Sequence, residues 1–126
     1  MRIGKLDHVN LRTHRLDSMI AWYTKVLGLR TGDRPDFPFP GAWLYAGDTA
    51  VIHLVGVEGK PSVGSALELK LEHFAFTATG RGEFETMLRT VNLPFQRIDL
   101  PSIRLVQLHL QDPDGNHVHV DFPAEE

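Results

Sequence analysis

Histidines recur in this chain at matching positions of two similar phrases. Residues 6–11 are Leu-Asp-His-Val-Asn-Leu, and residues 71–76, which follow 65 positions later, are Leu-Glu-His-Phe-Ala-Phe. A second pair, His53 and His119, stands 66 positions apart near the end of each half. Histidine is the commonest metal ligand in proteins. A duplicated unit with histidines at equivalent positions predicts a pseudo-symmetric site for one group, most simply a metal ion.

The composition argues against several other kinds of protein. The chain has 126 residues, of which 42% are hydrophobic and 23% charged, as expected for one soluble globular domain. A net charge of −3 without a basic stripe argues against nucleic acid or a membrane surface as a partner. There is no cysteine, and therefore neither a disulfide framework nor a thiolate site. No signal peptide and no membrane span are recognised, so a cytoplasmic location and a small-molecule partner are expected.

The elements that would position the histidines repeat in the two halves. Apolar periodicity and turn residues predict the order β-α-β-β-β twice, with module one at about 1–62 and module two at about 66–126. The predicted strands cover 3–13, 42–46, 50–55, 69–78, 95–100, 103–111 and 116–122. The predicted helices run from Asp17 or Ser18 to Leu27 and from Glu83 to Val91. Residues 56–65, rich in Gly, Pro and Ser, are predicted to be the connector.

Strand alternation predicts one apolar and one polar face for the last two strands. His109 shares its face with Gln107, and His117 shares its face with His119 and Asp121. His109 is interpreted as a substrate contact or a surface residue, and His117 as a base, a substrate contact or a solvated side chain. By the same alternation, Asp7 and Glu72 are expected to point away from the histidines that follow them.

Other candidate substrate contacts lie in the first half. Residues 33–41 hold three prolines and two phenylalanines, so Phe37 and Phe39 are predicted to lie in a stiff aromatic loop that covers a pocket. Trp43 is interpreted as a pocket wall or as a core residue. Asn10 and Arg12 share the predicted face of His8, and Arg12 would bind a substrate carboxylate or pair with Asp121.

Taken together, these pieces resemble the vicinal oxygen chelate superfamily, which includes glyoxalase I, bleomycin-binding proteins and extradiol dioxygenases. The matching segments cover nearly the whole chain, and are residues 6–11, 21–29, 51–55, 71–76 and 112–116. The resemblance implies an α+β fold in which two βαβββ modules form an open, curled barrel of mixed sheets. It also implies a homodimer, with the site between module one of one chain and module two of its partner.

The resemblance further implies a divalent transition metal, namely Zn, Ni, Co, Mn or Fe. The family's ligand positions fall at His8, His53, His73 and His119. Four neutral imidazoles would leave the ion its full charge and strengthen its action as a Lewis acid. The alternative is that these histidines line a metal-free pocket and are satisfied by hydrogen bonds.

The chain departs from the family pattern at His119, where the family usually has a glutamate that glyoxalase I uses as a base. The expected activity is therefore isomerase or lyase chemistry on a small molecule with vicinal oxygens, with His117 or a detached His53 as the proton carrier. Extradiol-type ring cleavage and metal-free binding of an antibiotic-like ligand are the alternatives.

Overall fold

The structure is a computed structural model that describes residues 1–2, 4–58 and 71–126. The chain forms two compact units, Met1–Ser62 and Val63–Glu126. Each unit contains one α-helix and one four-stranded sheet in the order β-α-β-β-β. This confirms the predicted α+β class and the repeat of the element order.

Unit 1 is a mixed sheet with a helix after its first strand. Its elements are β1 (Val9–Thr13), α1 (Leu16–Lys25), β2 (Arg30–Gly32), β3 (Gly41–Ala46) and β4 (Thr49–Gly56). The strands lie in the order β1-β4-β3-β2, with β1 parallel to β4 and the other pairs antiparallel. The parallel pair places the start of β1 beside the middle of β4.

Unit 2 repeats this arrangement. Its elements are β5 (Phe74–Thr77), α2 (Arg81–Thr90), β6 (Gln96–Leu100), β7 (Leu105–Gln111) and β8 (His117–Pro123), with a short 3-10 helix at Pro101–Ile103. The strands lie in the order β5-β8-β7-β6, and only β5 and β8 are parallel. The first and last strands of each unit are therefore neighbours.

Helix α1 forms because its apolar residues recur on one side. Met19, Trp22 and Tyr23 are buried, and the helix contacts β3 and β4, whose Leu44 and Ile52 are also fully buried. The chain leaves the helix through Gly28, which has a φ of +69° that an L side chain rarely adopts. Because Ile52 of β4 packs on the helix side of the sheet, the next residue, His53, lies on the opposite face.

The predicted alternation of β7 and β8 is confirmed. The apolar side chains of one face are buried, namely Val106, Leu108, Leu110, Val118, Val120 and Phe122. The opposite face carries polar side chains, namely Gln107, His109, His117, His119 and Asp121. One sheet face of unit 2 thus belongs to the core, and the other holds five titratable or amide side chains beside one another.

The turn between β7 and β8 sets which of these residues face each other. The buried Asp112 carboxylate accepts hydrogen bonds from the backbone N–H groups of Asp114 (3.0 Å) and Asn116 (2.9 Å). It also accepts one from Asn116 Nδ2 at 2.8 Å, and Gly115 takes a φ of +81°. The predicted turn at 112–115 is confirmed, and it pairs His109 with His119 across the two strands.

Several predicted boundaries are wrong at the ends. The first strand begins at Val9, since residues 4–8 form no strand pairs with the described part of the chain, and residue 3 lies outside the described residues. Helix α1 begins at Leu16. The predicted strand 69–78 is shorter and begins at Phe74, while residues 69 and 70 lie outside the described residues. The three-residue strand β2 has no apolar alternation, and periodicity therefore missed it.

Unit 2 contains a buried carboxylate that binds several arginines. Glu85 of α2 is 7% exposed and accepts hydrogen bonds from Arg89 Nη2 (2.7 Å) and Arg97 Nη1 (3.1 Å). Arg81 Nε lies 3.7 Å from the same carboxylate, and Arg97 also binds Asp99 at 2.9 Å. The hydrogen bond from Arg97 holds the pKa of Asp99 below its usual value. The network ties α2 to β6.

We expect Glu85→Gln to lower the free energy of unfolding by about 1–3 kcal/mol, because it removes the charge of a buried carboxylate that arginines of α2 and β6 bind. Urea unfolding followed by circular dichroism measures the change. Glu83→Gln, an exposed carboxylate on the same helix, is the matched control and should change stability by less than about 0.5 kcal/mol. Equal stability of Glu85→Gln and the unmodified chain would contradict the stabilising role of the network around Glu85.

Neither helix in the described part of the chain is long and apolar enough to cross a membrane.

Candidate metal centre

The strand register places histidines at equivalent positions in the two units. In unit 1, Asn10 of β1 pairs with His53 of β4, and in unit 2 Ala75 of β5 pairs with His119 of β8. His8 and His73 immediately precede β1 and β5, and their rings contact those of His53 and His119. Each unit therefore brings one predicted pair of ligands together.

In unit 1 the two histidines form a stack with a tryptophan. The His53 ring lies 3.8 Å from the His8 ring and 4.0 Å from Trp43, measured between centroids, with planes inclined by 12° and 10°. Trp43 is the cross-strand partner of His53 in β3. His53 thus has an aromatic ring on both of its faces, and Trp43 serves as a wall beside it.

Local charges in unit 1 favour a neutral His53 and an ionised Asp7. Burial, with a smaller contribution from nearby His8, lowers the pKa of His53. Asp7 Oδ2 lies 2.7 Å from His8 Nδ1, and this hydrogen bond lowers the pKa of Asp7. An ionised carboxylate only accepts hydrogen bonds, so His8 Nδ1 donates and its Nε2 is left to bind another group.

In unit 2 the predicted ligands are held in the same way. The His73 and His119 rings lie 4.4 Å apart between centroids. His119 is buried, and its Nδ1 donates to Asp121 Oδ1 at 2.6 Å. His73 Nδ1 likewise donates to Glu72 Oε2. In both rings a carboxylate accepts the hydrogen bond of Nδ1, and Nε2 is left to bind another group.

Glu72 is the member of the candidate site that sequence reasoning missed. The expectation that it points away from His73 is wrong, because residues 71–73 precede β5 and do not follow strand alternation. Its carboxylate bonds His73 through Oε2 and His117 Nδ1 through Oε1 at 2.9 Å. These two hydrogen bonds lower the pKa of Glu72. The same correction applies to Asp7, which also bonds the histidine after it.

The hydrogen bonds of His117 continue along the polar face of β7. Its Nε2 lies 2.7 Å from His109 Nδ1, and His109 Nε2 lies 3.1 Å from the Gln107 side chain. The Glu72 carboxylate only accepts, so His117 Nδ1 donates to it, and the amide oxygen of Gln107 accepts from His109 Nε2. Burial, and then the neighbouring histidines, lower the pKa of His109 and favour its neutral form.

The aromatic loop of unit 1 faces solvent. Phe37 and Phe39 are 40% and 41% exposed and stack with centroids 5.1 Å apart. The Arg34 guanidinium carbon lies 5.0 Å and 5.1 Å from the two ring centroids. Phe37 is also 6.5 Å from Trp43. The two rings are thus surface residues next to the Trp43 stack, as a covering loop requires.

The remaining candidates lie near these groups or on exposed strands. Asn10 and Arg12 are exposed on β1, and Asn10 is next to His53 in the register. The carboxylate of Asp121 is engaged by His119. A separate cavity of about 550 Å³ at the start of α1 is lined by residues such as His14 and Asp17, and contains none of the predicted site residues.

The donors present fit a divalent transition metal. Three of the four predicted ligands, His8, His73 and His119, have Nδ1 bonded to a carboxylate. This carboxylate–histidine arrangement fixes the ring and its tautomer, and it is the usual surrounding of metal-bound imidazoles. Imidazole nitrogen suits Zn, Ni, Co and Fe.

Comparison with known proteins places this fold in a family. The family model described as Glyoxalase/Bleomycin resistance protein/Dioxygenase superfamily matches residues 5–92, which include all of unit 1 from Lys5 and the first strand and helix of unit 2. The chain belongs to this superfamily. The resemblance drawn from the histidine phrases is thereby confirmed.

Named relatives and solved structures agree with this membership. A protein of Arabidopsis thaliana named Glyoxylase I 4 is 28% identical over 125 residues, covering 95% of this chain and 71% of the relative. A glyoxylase/bleomycin resistance protein/dioxygenase domain from Frankia sp. EAN1pec has the same fold, with a TM-score of 0.78, 20% identity, and coverage of 97% of this chain and 93% of that one. Lactoylglutathione lyase from Agrobacterium tumefaciens is similar too, with a TM-score of 0.71, 19% identity, and coverage of 97% and 96%.

Proposed function

We propose that this chain is a metal-dependent, glyoxalase-like enzyme of the isomerase or lyase type, acting on a small molecule with vicinal oxygens. The observation that carries the proposal is that a carboxylate holds Nδ1 of three predicted ligands, one in unit 1 and two in unit 2. The names of the Arabidopsis relative and of the Agrobacterium structure favour the same class of reaction.

The proposed cofactor is a divalent ion of Zn, Ni, Co, Mn or Fe, and its proposed ligands are His8, His53, His73 and His119. When bound, such an ion supplies a Lewis acid for the substrate oxygens. The carboxylates of Asp7, Glu72 and Asp121 bind Nδ1 of three of these rings, which orients the rings and leaves Nε2 of each as the nitrogen for the ion. The ring of His53 is restrained by the stack with His8 and Trp43.

His117 is the proposed proton carrier. An isomerisation of this kind removes a proton from the carbon that bears one oxygen and returns it to the neighbouring carbon, so a single base can serve both steps. His117 is 26% exposed, and its Nδ1 is oriented by Glu72. His53 is the second candidate, but rings cover both of its faces and leave only its edge accessible.

Substrate contacts are proposed on both units. In unit 1, Phe37, Phe39 and Trp43 provide aromatic surface, and Asn10 and Arg12 provide exposed polar groups on the strand that begins after His8. In unit 2, His109 offers a neutral ring edge beside His117. The proposal includes a homodimer in which unit 1 of one chain and unit 2 of the partner hold the same ion.

The test combines metal analysis of the purified chain with turnover of the adduct of methylglyoxal and glutathione. We expect about one tightly held ion per site and turnover that is lost after chelation and restored by metal. Oxygen consumption with catechols is measured in parallel. Oxygen uptake without adduct turnover would instead establish a ring-cleaving dioxygenase. Binding of an aromatic ligand by metal-free protein with neither activity would establish a binding protein.

Asp121→Asn tests how His119 is held. The amide cannot accept the hydrogen bond of His119 Nδ1 with the strength of a carboxylate, so the ring loses its fixed orientation and basicity. We expect metal affinity to fall about 10–100-fold while the fold is retained. Competition with a chromophoric chelator measures the affinity. Asp114→Asn, an exposed carboxylate of the same unit, is the matched control, and equal affinities of the two variants would refute the arrangement.

A further inference from the structure

We propose a second cation position in unit 2, formed by Glu72, His73 and His117. One ligand atom of each residue lies within 4.8 Å of the others. The Glu72 carboxylate already joins the two rings, with Oε1 2.9 Å from His117 Nδ1 and Oε2 bonded to His73 Nδ1. The position uses the Nδ1 edge of His73, whereas the ligand set proposed above uses its Nε2 edge.

A divalent ion would take the place of the two protons in the hydrogen bonds between the Glu72 carboxylate and the two rings. Ligand atoms on a tetrahedral ion with bonds of about 2.0–2.1 Å lie about 3.3 Å apart. The 2.9 Å between Glu72 Oε1 and His117 Nδ1 is close to that spacing, and no two of the three ligand atoms lie more than 4.8 Å apart, so side-chain rotations that bring the widest pair closer would admit the ion. Two imidazoles and one carboxylate suit Zn or Fe(II) and leave further coordination positions for water or an anionic ligand.

The position is open to solvent. The side chains of Glu72, His73 and His117 are 71%, 42% and 26% exposed, so an ion can enter without unfolding of the sheet. His117 is anchored at the start of β8, and His73 immediately precedes β5, the strand that pairs with β8. The two rings therefore lie at the start of two paired strands, and the exposed Glu72 side chain can turn its carboxylate toward the ion. Because this carboxylate is exposed, we expect weaker binding than at the first set.

Occupation of this position would regulate the proposed enzyme. An ion bound to His73 Nδ1 turns that ring away from the first ligand set, and it also engages the proposed proton carrier His117. Activity should therefore decline when metal is added beyond the first equivalent. This consequence rests on the proposed function, whereas the binding of the ion does not.

The binding experiment uses metal-free protein with His53→Ala and His119→Ala, which disables the first set and leaves the second intact. Titration with Co²⁺, followed by visible absorption and calorimetry, should show one equivalent bound. Adding Glu72→Gln or His117→Ala to this background should weaken binding at least about tenfold. Adding Glu83→Gln, an exposed carboxylate of α2, should leave the affinity unchanged. Circular dichroism confirms that each variant is folded.

Unchanged Co²⁺ affinity in both the Glu72→Gln and the His117→Ala variants would overturn the proposal. So would a background variant that is folded but binds no Co²⁺. Failure of the proposed function gives a different result. The unmodified chain would then show no turnover with one equivalent of metal, and this result does not depend on whether the His53→Ala, His119→Ala variant binds Co²⁺. A fall in the activity of the unmodified chain between the first and second equivalents of Zn²⁺ would support the regulatory consequence, and unchanged activity over that range would contradict it.

Discussion

His119→Ala should lose the tightly held metal ion and lower kcat/KM about 10²–10³-fold. A bound zinc ion contributes about 10–16 kcal/mol in small metal sites, so one of four ligands accounts for about 3–4 kcal/mol, which corresponds to that factor. The buried position of His119 and its bond to Asp121 make it the most restrained of the predicted ligands. Metal analysis after gel filtration and steady-state kinetics measure the two effects.

Two controls separate the loss of a ligand from the loss of the fold. His119→Ala leaves the Asp121 carboxylate, which is 16% exposed, without its partner, so the double variant with Asp121→Asn removes that unpaired charge. His14→Ala changes an exposed histidine outside the predicted set and should keep both metal and activity. Retention of the ion and of normal kcat/KM in a folded His119→Ala variant would show that His119 is not a ligand.

The positions of the histidine pairs were accessible from sequence because they depend only on the repeat and on strand pairing. The similar offsets of 65 and 66 positions between the halves predict similar registers, and the structure pairs Asn10 with His53 and Ala75 with His119. The α+β class and the polar face of β7 and β8 followed from alternation, which needs only the chain itself. These inferences depend only on strand alternation and on the order of the elements along the chain.

The role of Glu72 was not accessible, because alternation applies only within a strand. β5 begins at Phe74, so the backbone at residues 71–73 is free to direct Glu72 and His73 toward each other. The bond between His109 and His117 depends on side-chain orientation within the β7–β8 pair, which strand patterns leave open. The stack of His53 between His8 and Trp43 likewise joins three separate segments of the chain, of which His8 precedes β1.

Mixing two inactive variants should restore activity if the proposed homodimer shares its ions between chains. One variant carries His8→Ala with His53→Ala, and the other carries His73→Ala with His119→Ala. In a mixed dimer, the intact unit 1 of one chain meets the intact unit 2 of the other at one of the two sites. Random mixing makes half of the dimers mixed, so about a quarter of the unmodified activity should return.

Mixed dimers form only when subunits exchange or assemble together. The two variants are therefore co-expressed with different affinity tags, and the doubly tagged dimer is isolated. That dimer should hold about one ion, half of the number in the unmodified dimer. A chain that carries all four substitutions, paired with either variant, has no intact combination and should remain inactive. If each chain instead holds its ion with its own residues, every site in the mixed dimer lacks two ligands and no activity returns. The experiment thus decides whether the repeated half-units act within one chain or across two.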